Sequence, residues 1–278
     1  MAVRIVTDST ADLPRELVKK LGIEVVPLTV RFGNESYLDG VNLSGDQFFQ
    51  KLVSNPVLPT TGAPSPGTFG DLYRSIMAKG DEVVSIHISN KLSATYTSAA
   101  TARGNLPANS PVEVIDSMSV SMGLGLIVLQ AARAAAAGAR FTDVVKLVKE
   151  KMPLIRLYGI FDTLEYLQKG GRIGRAQAFL GSLLNLKPIV VILEGEVHPF
   201  ERVRTKAKAM NRVLKLVEDS NKVDEVAVLH ATSPGDLEDL SKRIGAVVPG
   251  TTVHRCQFGP VLGTYVGPGA MALCFLEK

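Results

Sequence analysis

The first half of the chain alternates short runs of β-branched residues with longer segments of helical periodicity. Polar turn residues separate the two kinds of segment, an arrangement typical of βαβ units. The pattern therefore predicts a mainly parallel sheet. The predicted strands are VRIVTD, IEVVPLTVRF, DEVVSIHIS and VEVIDS, and the predicted helices are LPRELVKKLG, GDQFFQKLV, SATYTSAATARG and residues 67–79 and 119–137.

Capping residues indicate where several of these helices begin. Ser44 precedes one helical run, and Ser65 precedes another in which Pro66 takes the first helical position. Both patterns are favoured at helix starts, because a serine oxygen accepts a free backbone N–H and proline has no N–H to satisfy. We also expect a cap near Ser93. The capping candidates for the first helix are Ser9, Thr10 and Asp12.

The pattern changes after residue 153. KPIVVILEGEVHPFERVR contains two strands joined by a tight Glu-Gly turn, an antiparallel hairpin that the first half lacks. We therefore predict an α/β fold of two domains: a Rossmann-like N-terminal domain with a mainly parallel sheet at residues 1–155, and a smaller α/β C-terminal domain with a mixed sheet at residues 156–278. The other elements predicted there are strands at LYGIFDTL and DEVAVLHA, helices at RAQAFLGSLL, 205–219 and 236–245, and a closing pair of strands around FGPVLGTYVGPGA.

Composition and charge narrow the function classes. Lys and Arg number 31 against 27 Asp and Glu, an excess too mild to indicate nucleic acid. The most apolar stretch, 120–139, is interrupted by Gln130 and Arg133, which predicts a buried helix rather than a membrane span. The N-terminus lacks the pattern of a signal peptide, and Cys256 and Cys274 lie in strand-like runs, as buried thiols do. We therefore expect a cytoplasmic protein.

Polar loops follow three of the predicted strands. Residues 8–10 follow the first strand, 89–93 follow DEVVSIHIS, and 116–117 follow VEVI. Because ligands of open α/β sheets bind beyond the carboxyl ends of the strands, we expect these loops to meet at one edge of the sheet.

A further stretch, TTGAPSPG, places Thr60 and Thr61 just before a helix start. Hydroxyls and free N–H groups at such a position can hold a carboxylate or a phosphate. They can equally serve as a capped turn with no ligand. From residue types alone, both interpretations stay open for this loop and for Ser93.

Motifs for cofactors and nucleophiles are absent from the sequence. It contains no GxGxxG, no GxxxxGK[ST] and no GxSxG, and the GLG at 123–125 lies in an apolar helix, where it indicates packing. The four histidines lack metal-binding spacing, and His87 alternates within a strand as a structural residue. We predict no metal site and no catalytic residue. The basic segments LQKGGRIGR and RVRTKAKAMNR are either solvated surface or a docking patch for an acidic partner or a phosphate.

Taken together, eight motifs resemble, in order and over nearly the whole chain, the DegV family of bacterial fatty-acid-binding proteins. The resemblance implies a DegV-like fold in which a long-chain fatty acid, such as palmitate, lies in a tunnel between the two domains, with no cofactor. The motifs are VTDSTADLP, TTGAPSPGTF, ISNKLSATYTSA, VIDSMSVSMGLG, LEYLQKGGRIG, LKPI, the hairpin with Arg202, and FGPVLGTYVGPGA.

The resemblance also implies the binding residues. The family's carboxylate-binding hydroxyls match Thr61 and Ser93, and such neutral groups can hold a carboxylate without the costly burial of a counterion. This chain departs from the family at Ala94, where LSGT is usual, and at Tyr265, where GTHVGPG has a histidine. Because tyrosine offers a hydrogen bond but no positive charge, we expect lipid binding to survive more readily than kinase-coupled turnover. The supporting polar network implied is Thr60, Gly62, Ala94, Arg172 and Tyr265.

Family members characterised as fatty acid kinase subunits present the carboxylate to a separate ATP-dependent kinase, which makes an acyl phosphate for phospholipid synthesis. The resemblance therefore implies a carrier that is not itself an enzyme, with Arg202 as the residue that docks the kinase. We expect a monomer without a nucleic-acid partner or a membrane span. Two alternatives stay open: a stand-alone phosphotransferase or hydrolase using Asp8, Ser9 or Asp116, and a regulatory module acting through the Arg202 patch.

Overall fold

A computed structural model describes residues 1–181, 186–220 and 222–278. The strands are β1 (Val3–Asp8), β2 (Glu24–Val26), β3 (Thr29–Phe32), β4 (Glu35–Leu38), β5 (Thr60–Gly62), β6 (Glu82–His87), β7 (Val112–Asp116), β8 (Ile155–Ile160), β9 (Lys187–Leu193), β10 (Glu196–Val203), β11 (Val223–His230), β12 (Thr252–Gln257) and β13 (Met271–Glu277). The α-helices are α1 (Arg15–Leu21), α2 (Gly45–Ser54), α3 (Pro66–Met77), α4 (Thr95–Gly104), α5 (Met122–Ala136), α6 (Phe141–Lys151), α7 (Glu165–Lys169), α8 (Lys206–Asp219), α9 (Pro234–Val247) and α10 (Pro260–Val266).

The first sheet is parallel, as the alternating pattern predicts. Its strand order is β2-β1-β6-β7, and every pairing within it is parallel. The loops that follow β1, β6 and β7 meet at one edge: the Asp8 carboxylate accepts the Ile88 N–H at 3.0 Å, and the Asp116 carboxylate accepts the Asn90 N–H at 3.2 Å. The predicted gathering of polar loops is therefore confirmed.

A second, antiparallel sheet has the order β4-β3-β5 and was not predicted. IEVVPLTVRF divides into β2 and β3, which belong to different sheets. The prediction of a loop at Thr60 and Thr61 was wrong, because the short strand β5 pairs with β3 and sets Thr61 opposite Val30. The partner strand lies about thirty residues earlier in the chain, so local turn chemistry does not reveal the pairing.

The third sheet is mixed, with the order β10-β9-β8-β13-β11-β12. The predicted hairpin is confirmed: β9 and β10 are antiparallel, and both Glu194 and Gly195 at the turn have positive φ, 49° and 77°. Such turns match the right-handed twist of the strands that they join. With a parallel sheet in the first half and a mixed sheet in the second, the predicted fold class is confirmed.

Two of the predicted helix caps are confirmed, and the first helix differs. The Ser44 and Ser65 hydroxyls accept the N–H of the residue three positions on. Helix α1 instead begins after Pro14 without a side-chain cap. Helix α4 has Ala94 at its N-cap, although the Ser93 hydroxyl accepts the Thr95 N–H at 3.3 Å. Two of the three candidates for α1 make tertiary contacts instead, Ser9 with the Leu28 N–H and Asp12 with Ser121 and Gly259, whereas Thr10 donates locally to Asp8.

The C-terminal segment also differs from its predicted form. FGPVLGTYVGPGA contains helix α10, and the strands on either side of it, β12 and β13, both pair with β11 rather than with each other. The helix predicted at 175–184 extends onto residues outside the described ranges. Within them, a 3-10 helix spans Gly174–Phe179.

Helix α5 joins the two halves of the fold. It packs against β1 of the parallel sheet and against β8 and β13 of the mixed sheet. Its two polar interruptions are explained, because Gln130 and Arg133 both bind the buried Glu225 of β11. Burial alone would raise the pKa of Glu225, but hydrogen bonds from His254 and Arg133 hold it at about 2. Within the described ranges, no helix has both the length and the apolar character needed to cross a bilayer.

Candidate functional site

A cavity lies between the loops of the first half and one face of the mixed sheet. It encloses about 820 Å³ of empty space, part of it open to solvent. Fifteen of its lining residues are apolar, and eleven of these come from β8 and the chain that follows it. Such a mostly apolar cavity with a few polar groups is typical of small-molecule sites.

Side-chain alternation along β8 builds much of the apolar wall. Leu157, Gly159 and Phe161 face the cavity, whereas Tyr158 and Ile160 pack into a separate core with helices α8 and α9 on the other side of the sheet. This division follows from the period of two in a strand. Once the strand had been assigned, the alternating side chains at 157, 159 and 161 could have identified this wall from the sequence.

The polar lining includes a hydrogen bond between two distant segments. The Thr61 hydroxyl on β5 and the Tyr265 hydroxyl on α10 lie 2.5 Å apart. The Arg172 guanidinium lies over the Tyr265 ring, 5.1 Å from its centroid. Thr61, Arg172 and Tyr265 thus form one polar group, brought together from three separate motifs of the sequence.

Gly170 permits this arrangement. A Cβ atom at position 170 would lie only 2.4 Å from the Tyr265 ring, so the ring packs directly on the glycine backbone. The following turn holds Arg172, whose Nη1 donates to the Gly170 carbonyl at 2.7 Å and whose Nε donates to the Leu92 carbonyl at 3.2 Å. These carbonyls orient the guanidinium without neutralising it. Across the described ranges, no carboxylate lies within ion-pair distance of Arg172.

Ser93 lines the same cavity from the first turn before α4. Its hydroxyl lies 2.9 Å from the Thr95 hydroxyl, and Ser93 itself is half-buried. Because a helix start leaves N–H groups without partners inside the helix, this end of α4 adds donors beside the hydroxyl.

The other residues singled out in the sequence occupy different positions. Thr60 is exposed beside Thr61 and does not line the cavity, and Ala94 is exposed at the N-cap of α4. Gly62 is packed closely, since a Cβ there would lie 2.6 Å from the Thr29 hydroxyl. Arg202 is exposed on β10, with its guanidinium 4.7 Å from the centroid of the Phe179 ring. The ligand-binding and docking roles of these residues remain predictions.

Two hydroxyl residues of the cavity were not proposed as ligand groups from the sequence. Thr10 and Ser121 both line it. Ser121 has a positive φ of 53°, which is uncommon for a residue other than glycine, and its hydroxyl donates to Asp12 at 2.6 Å. Sequence spacing gave no indication of this backbone conformation.

Behind Thr10 lies a chain of buried polar side chains. The Asp8 carboxylate accepts the Thr10 hydroxyl at 2.5 Å and lies 3.0 Å from His87 Nδ1. The other ring nitrogen of His87 lies 2.7 Å from the Ser85 hydroxyl, to which Tyr73 donates at 2.8 Å. The prediction that His87 is a satisfied structural residue is confirmed.

The residues of the alternative catalytic hypothesis are already engaged in the fold. Asp8 is fully buried, and the Ser9 hydroxyl accepts the Leu28 N–H at 3.1 Å. Asp116 accepts the N–H groups of Asn90 and Met118. Each group thus has structural partners that a substrate would have to displace.

Two further carboxyls meet where α10 contacts the first half. Asp12 accepts the Gly259 N–H at 2.9 Å, and a Cβ on Gly259 would lie 3.0 Å from Asp39 and 3.2 Å from Asp12. Desolvation by the surrounding protein raises the pKa of Asp12 to about 8 and that of Asp39 to about 7. At neutral pH this contact therefore holds at least one proton.

The two cysteines are free and buried, as predicted. Burial raises the pKa of Cys256 to about 12. In the part of the chain that the structure describes, no group of three His, Cys, Asp or Glu residues is placed to hold a metal ion.

Known proteins resemble this chain over its whole length. A DegV domain-containing protein of Caldanaerobacter subterraneus is 36% identical over 280 residues, 99% of each chain. The structure matches a fatty-acid-binding DegV family protein from Thermus thermophilus with a TM-score of 0.92 and 33% identity, covering 100% of both chains. It also matches a stearic-acid-binding protein from Eubacterium ventriosum with a TM-score of 0.91 and 26% identity, covering 99% of this chain and 98% of that one.

The profile of the family described as "Uncharacterised protein, DegV family" matches residues 2–278. This match includes the segments that contain Thr61, Ser93, Arg172 and Tyr265. From its sequence, its relatives and its fold, the chain belongs to the DegV family.

Proposed function

We propose that the protein binds a long-chain fatty acid in the cavity between its two halves. One observation supports the proposal above all. Fifteen apolar residues line the cavity together with a single cation, Arg172, and this cation has no carboxylate partner in the described ranges. A fatty acid has the matching chemistry, with an aliphatic chain and one negative charge. Relatives named for fatty acid binding share the fold.

In this proposal the carboxylate lies among Thr61, Ser93 and Arg172. Two neutral hydroxyls and one partly exposed guanidinium supply charge-assisted hydrogen bonds without a deeply buried ion pair. The Tyr265 hydroxyl orients Thr61 and is itself a possible donor. Apolar burial then supplies most of the affinity, at about 0.8 kcal/mol for each methylene.

Native mass spectrometry of the purified protein tests the binding directly. We expect a co-purified fatty acid, and we expect delipidated protein to take up palmitate. A ligand-free preparation that is folded and still refuses palmitate would refute the proposal.

Paired substitutions test the position of the carboxylate. We expect Thr61→Ala combined with Ser93→Ala to weaken palmitate binding at least tenfold, since a hydrogen bond to a charged group contributes roughly 1.5–3 kcal/mol. Thr60→Ala is the matched control, because it removes the adjacent hydroxyl, which does not line the cavity. Equal affinities for the double variant and the control, measured by isothermal titration calorimetry, would place the carboxylate elsewhere.

We propose further that the protein presents this carboxylate to a separate kinase and has no catalytic residue of its own. The kinase would transfer the γ-phosphoryl group of ATP to a carboxylate oxygen, giving an acyl phosphate and ADP, and the product would enter phospholipid synthesis. Supporting this, the groups of the alternative catalytic hypothesis are engaged in the fold, and Arg172 is exposed enough to face a partner.

Kinase coupling is tested with ATP, palmitate and a bacterial fatty acid kinase. We expect acyl phosphate only when kinase and carrier are both present, and less of it with Arg202→Ala, whose palmitate affinity should stay unchanged. Lys242→Ala, at an exposed position of α9, is the control for a general loss of positive charge. ATP hydrolysis by the isolated protein would instead favour the phosphotransferase.

A further inference from the structure

A second cavity adjoins the first. It also encloses about 820 Å³ of empty space, part of it open to solvent, and it is lined by residues of both halves of the chain. Leu157 of β8 and Ile192 of β9 line both cavities. These two side chains therefore form part of the wall between the two spaces.

The two wall residues are neighbours on one sheet face. Tyr158 pairs with Val191 in the antiparallel ladder of β8 and β9, so the next position sets Leu157 opposite Ile192. Leu157 is tightly held, since its Cδ2 lies 3.3 Å from where a Cβ on Gly123 of α5 would be. Ile192 is only half-buried and is the less constrained part of the wall.

Strand β8 runs continuously from one cavity to the other. Phe161, Gly159 and Leu157 line the first cavity, and Leu157 and Ile155 line the second. Phe161 follows the last residue of β8, and from it to Leu157 the extended chain covers about 13 Å, at roughly 3.3 Å per residue. An acyl chain that lies along this face and extends away from Phe161 contacts Leu157 and Ile192 before it reaches the second cavity.

Among its described lining residues, the second cavity has no unpaired cation. Its two basic residues are both paired, Lys149 with Glu113 at 2.9 Å and Arg156 with Glu277 at 2.7 Å. Seven of its twelve described lining residues are apolar, among them Met118 and Leu193, which are 36% and 48% exposed, and the polar ones besides the two basic residues are Ser117, Ser119 and Glu194. This chemistry suits the methyl end of a lipid better than a second carboxylate.

Backbone conformation also distinguishes this region. Among the described residues other than glycine, four have positive φ, and two of these, Met118 and Glu194, line the second cavity. The Met118 side chain lies beside the turn that contains Glu194, since its Cε lies 3.3 Å from where a Cβ on Gly195 would be. The positive φ of Glu194 belongs to the hairpin turn, so only that of Met118 is of the kind that clusters at ligand sites.

Resting on the proposed function, we propose that the second cavity is a subsite for the methyl end of acyl chains too long for the first cavity. Leu157 and Ile192 then determine which chain length is preferred. Removing bulk from this wall admits longer chains, and adding bulk restricts the protein to shorter ones.

The test offers delipidated protein an equimolar mixture of saturated fatty acids with 14, 16, 18, 20 and 22 carbons, and measures the bound species by native mass spectrometry. We expect Ile192→Ala and Leu157→Ala to enrich the species two carbons longer than the wild-type optimum by about fifteenfold, because each newly buried methylene strengthens binding roughly fourfold. Ile192→Phe should shift the bound species toward shorter chains.

Val191→Ala is the matched control. Val191 precedes Ile192 on β9 but packs into the core on the other side of the sheet and lines neither cavity, so this change removes bulk while leaving the shared wall intact, and it should preserve the wild-type optimum. Unchanged chain-length distributions in Ile192→Ala and in Ile192→Phe would overturn the inference and leave fatty acid binding intact. A folded wild-type protein that binds no chain of any length would overturn the proposed function itself.

Discussion

The two halves of the chain contribute different chemistry to the cavity. Before β8, the polar lining consists only of neutral hydroxyls, on Thr10, Thr61, Ser93 and Ser121. From β8 onward, the chain supplies the cation, the phenol and eleven of the fifteen apolar residues. Loops at the edge of the parallel sheet and strand β5 thus provide hydrogen bonds, whereas one face of the mixed sheet, together with α7 and α10, provides most of the apolar wall. Neither half forms the site alone.

The largest expected effect tests how the first half holds its hydroxyl loops. Asp8→Ala leaves His87, the Thr10 hydroxyl and the Ile88 N–H without their common buried partner. Breaking a buried pair in this way costs about 3–5 kcal/mol, so we expect the free energy of unfolding to fall by that amount in urea denaturation.

Asp116→Ala is the control for Asp8→Ala, because Asp116 accepts two N–H groups at the same sheet edge but is only half-buried. We expect it to be clearly less destabilising. If the two variants lose similar amounts of the free energy of unfolding, the buried hydrogen bonds of Asp8 are not what holds the loop after β1.

The next prediction concerns Arg172, the positive charge that the second half contributes to the cavity. We expect Arg172→Gln to weaken palmitate binding about tenfold, because a hydrogen bond from a cation to a carboxylate is roughly twice as strong as a neutral one. Tyr265→Phe keeps the ring under the guanidinium and removes only its hydroxyl, so its effect should be smaller. If Tyr265→Phe weakens binding more than Arg172→Gln, hydroxyl groups contribute more to the affinity than the cation does. The proposed difference between the two halves would then be wrong.

A pH-dependent effect tests the junction of the halves at Asp12 and Asp39. Both carboxyls bind a proton more tightly in the folded protein than in the unfolded chain, where the pKa is near 3.8. Their stabilising contribution is complete below about pH 4 and is lost as the pH rises through 7 and 8. As the pH rises through this range, we expect the loss of each proton to reduce the free energy of unfolding by up to about 1.4 kcal/mol per pH unit.

Asp12→Asn isolates this contribution. The amide keeps an acceptor for the Gly259 N–H but does not titrate, so the variant should lose stability less steeply than the wild type between pH 4 and pH 8. Parallel curves, measured as the melting temperature by calorimetry across that range, would contradict the assignment of a bound proton to this contact.

The sequence predicted more of the first half than of the second. The βαβ alternation located β1, β6 and β7 of the parallel sheet, because each of these strands and its helix are close in the chain, but it merged β2 with β3 of another sheet. Thr61 and Ser93 could be proposed from the family resemblance, and the structure brings both to one cavity. Residue types alone left both positions open between a turn and an anion site.

Long-range pairing accounts for what the sequence did not predict. Strand β5 depends on β3, and the Thr61 contact with Tyr265 joins residues 204 positions apart. Helix α10 was assigned to a strand region because its β-branched residues are typical of strands. These features depend on which segments meet in the folded chain, and local propensity carries no information about that.

The close contact at Gly170 has a consequence for how such proteins can diverge. Any side chain at position 170 would occupy the space of the Tyr265 ring, and that ring supports both Arg172 and Thr61. The segments QKGGRIG and GTYVGPG, which are far apart in the chain, therefore constrain each other as one unit. A residue larger than glycine at 170 would have to be accompanied by a smaller or reoriented residue at 265, so the two positions should vary together.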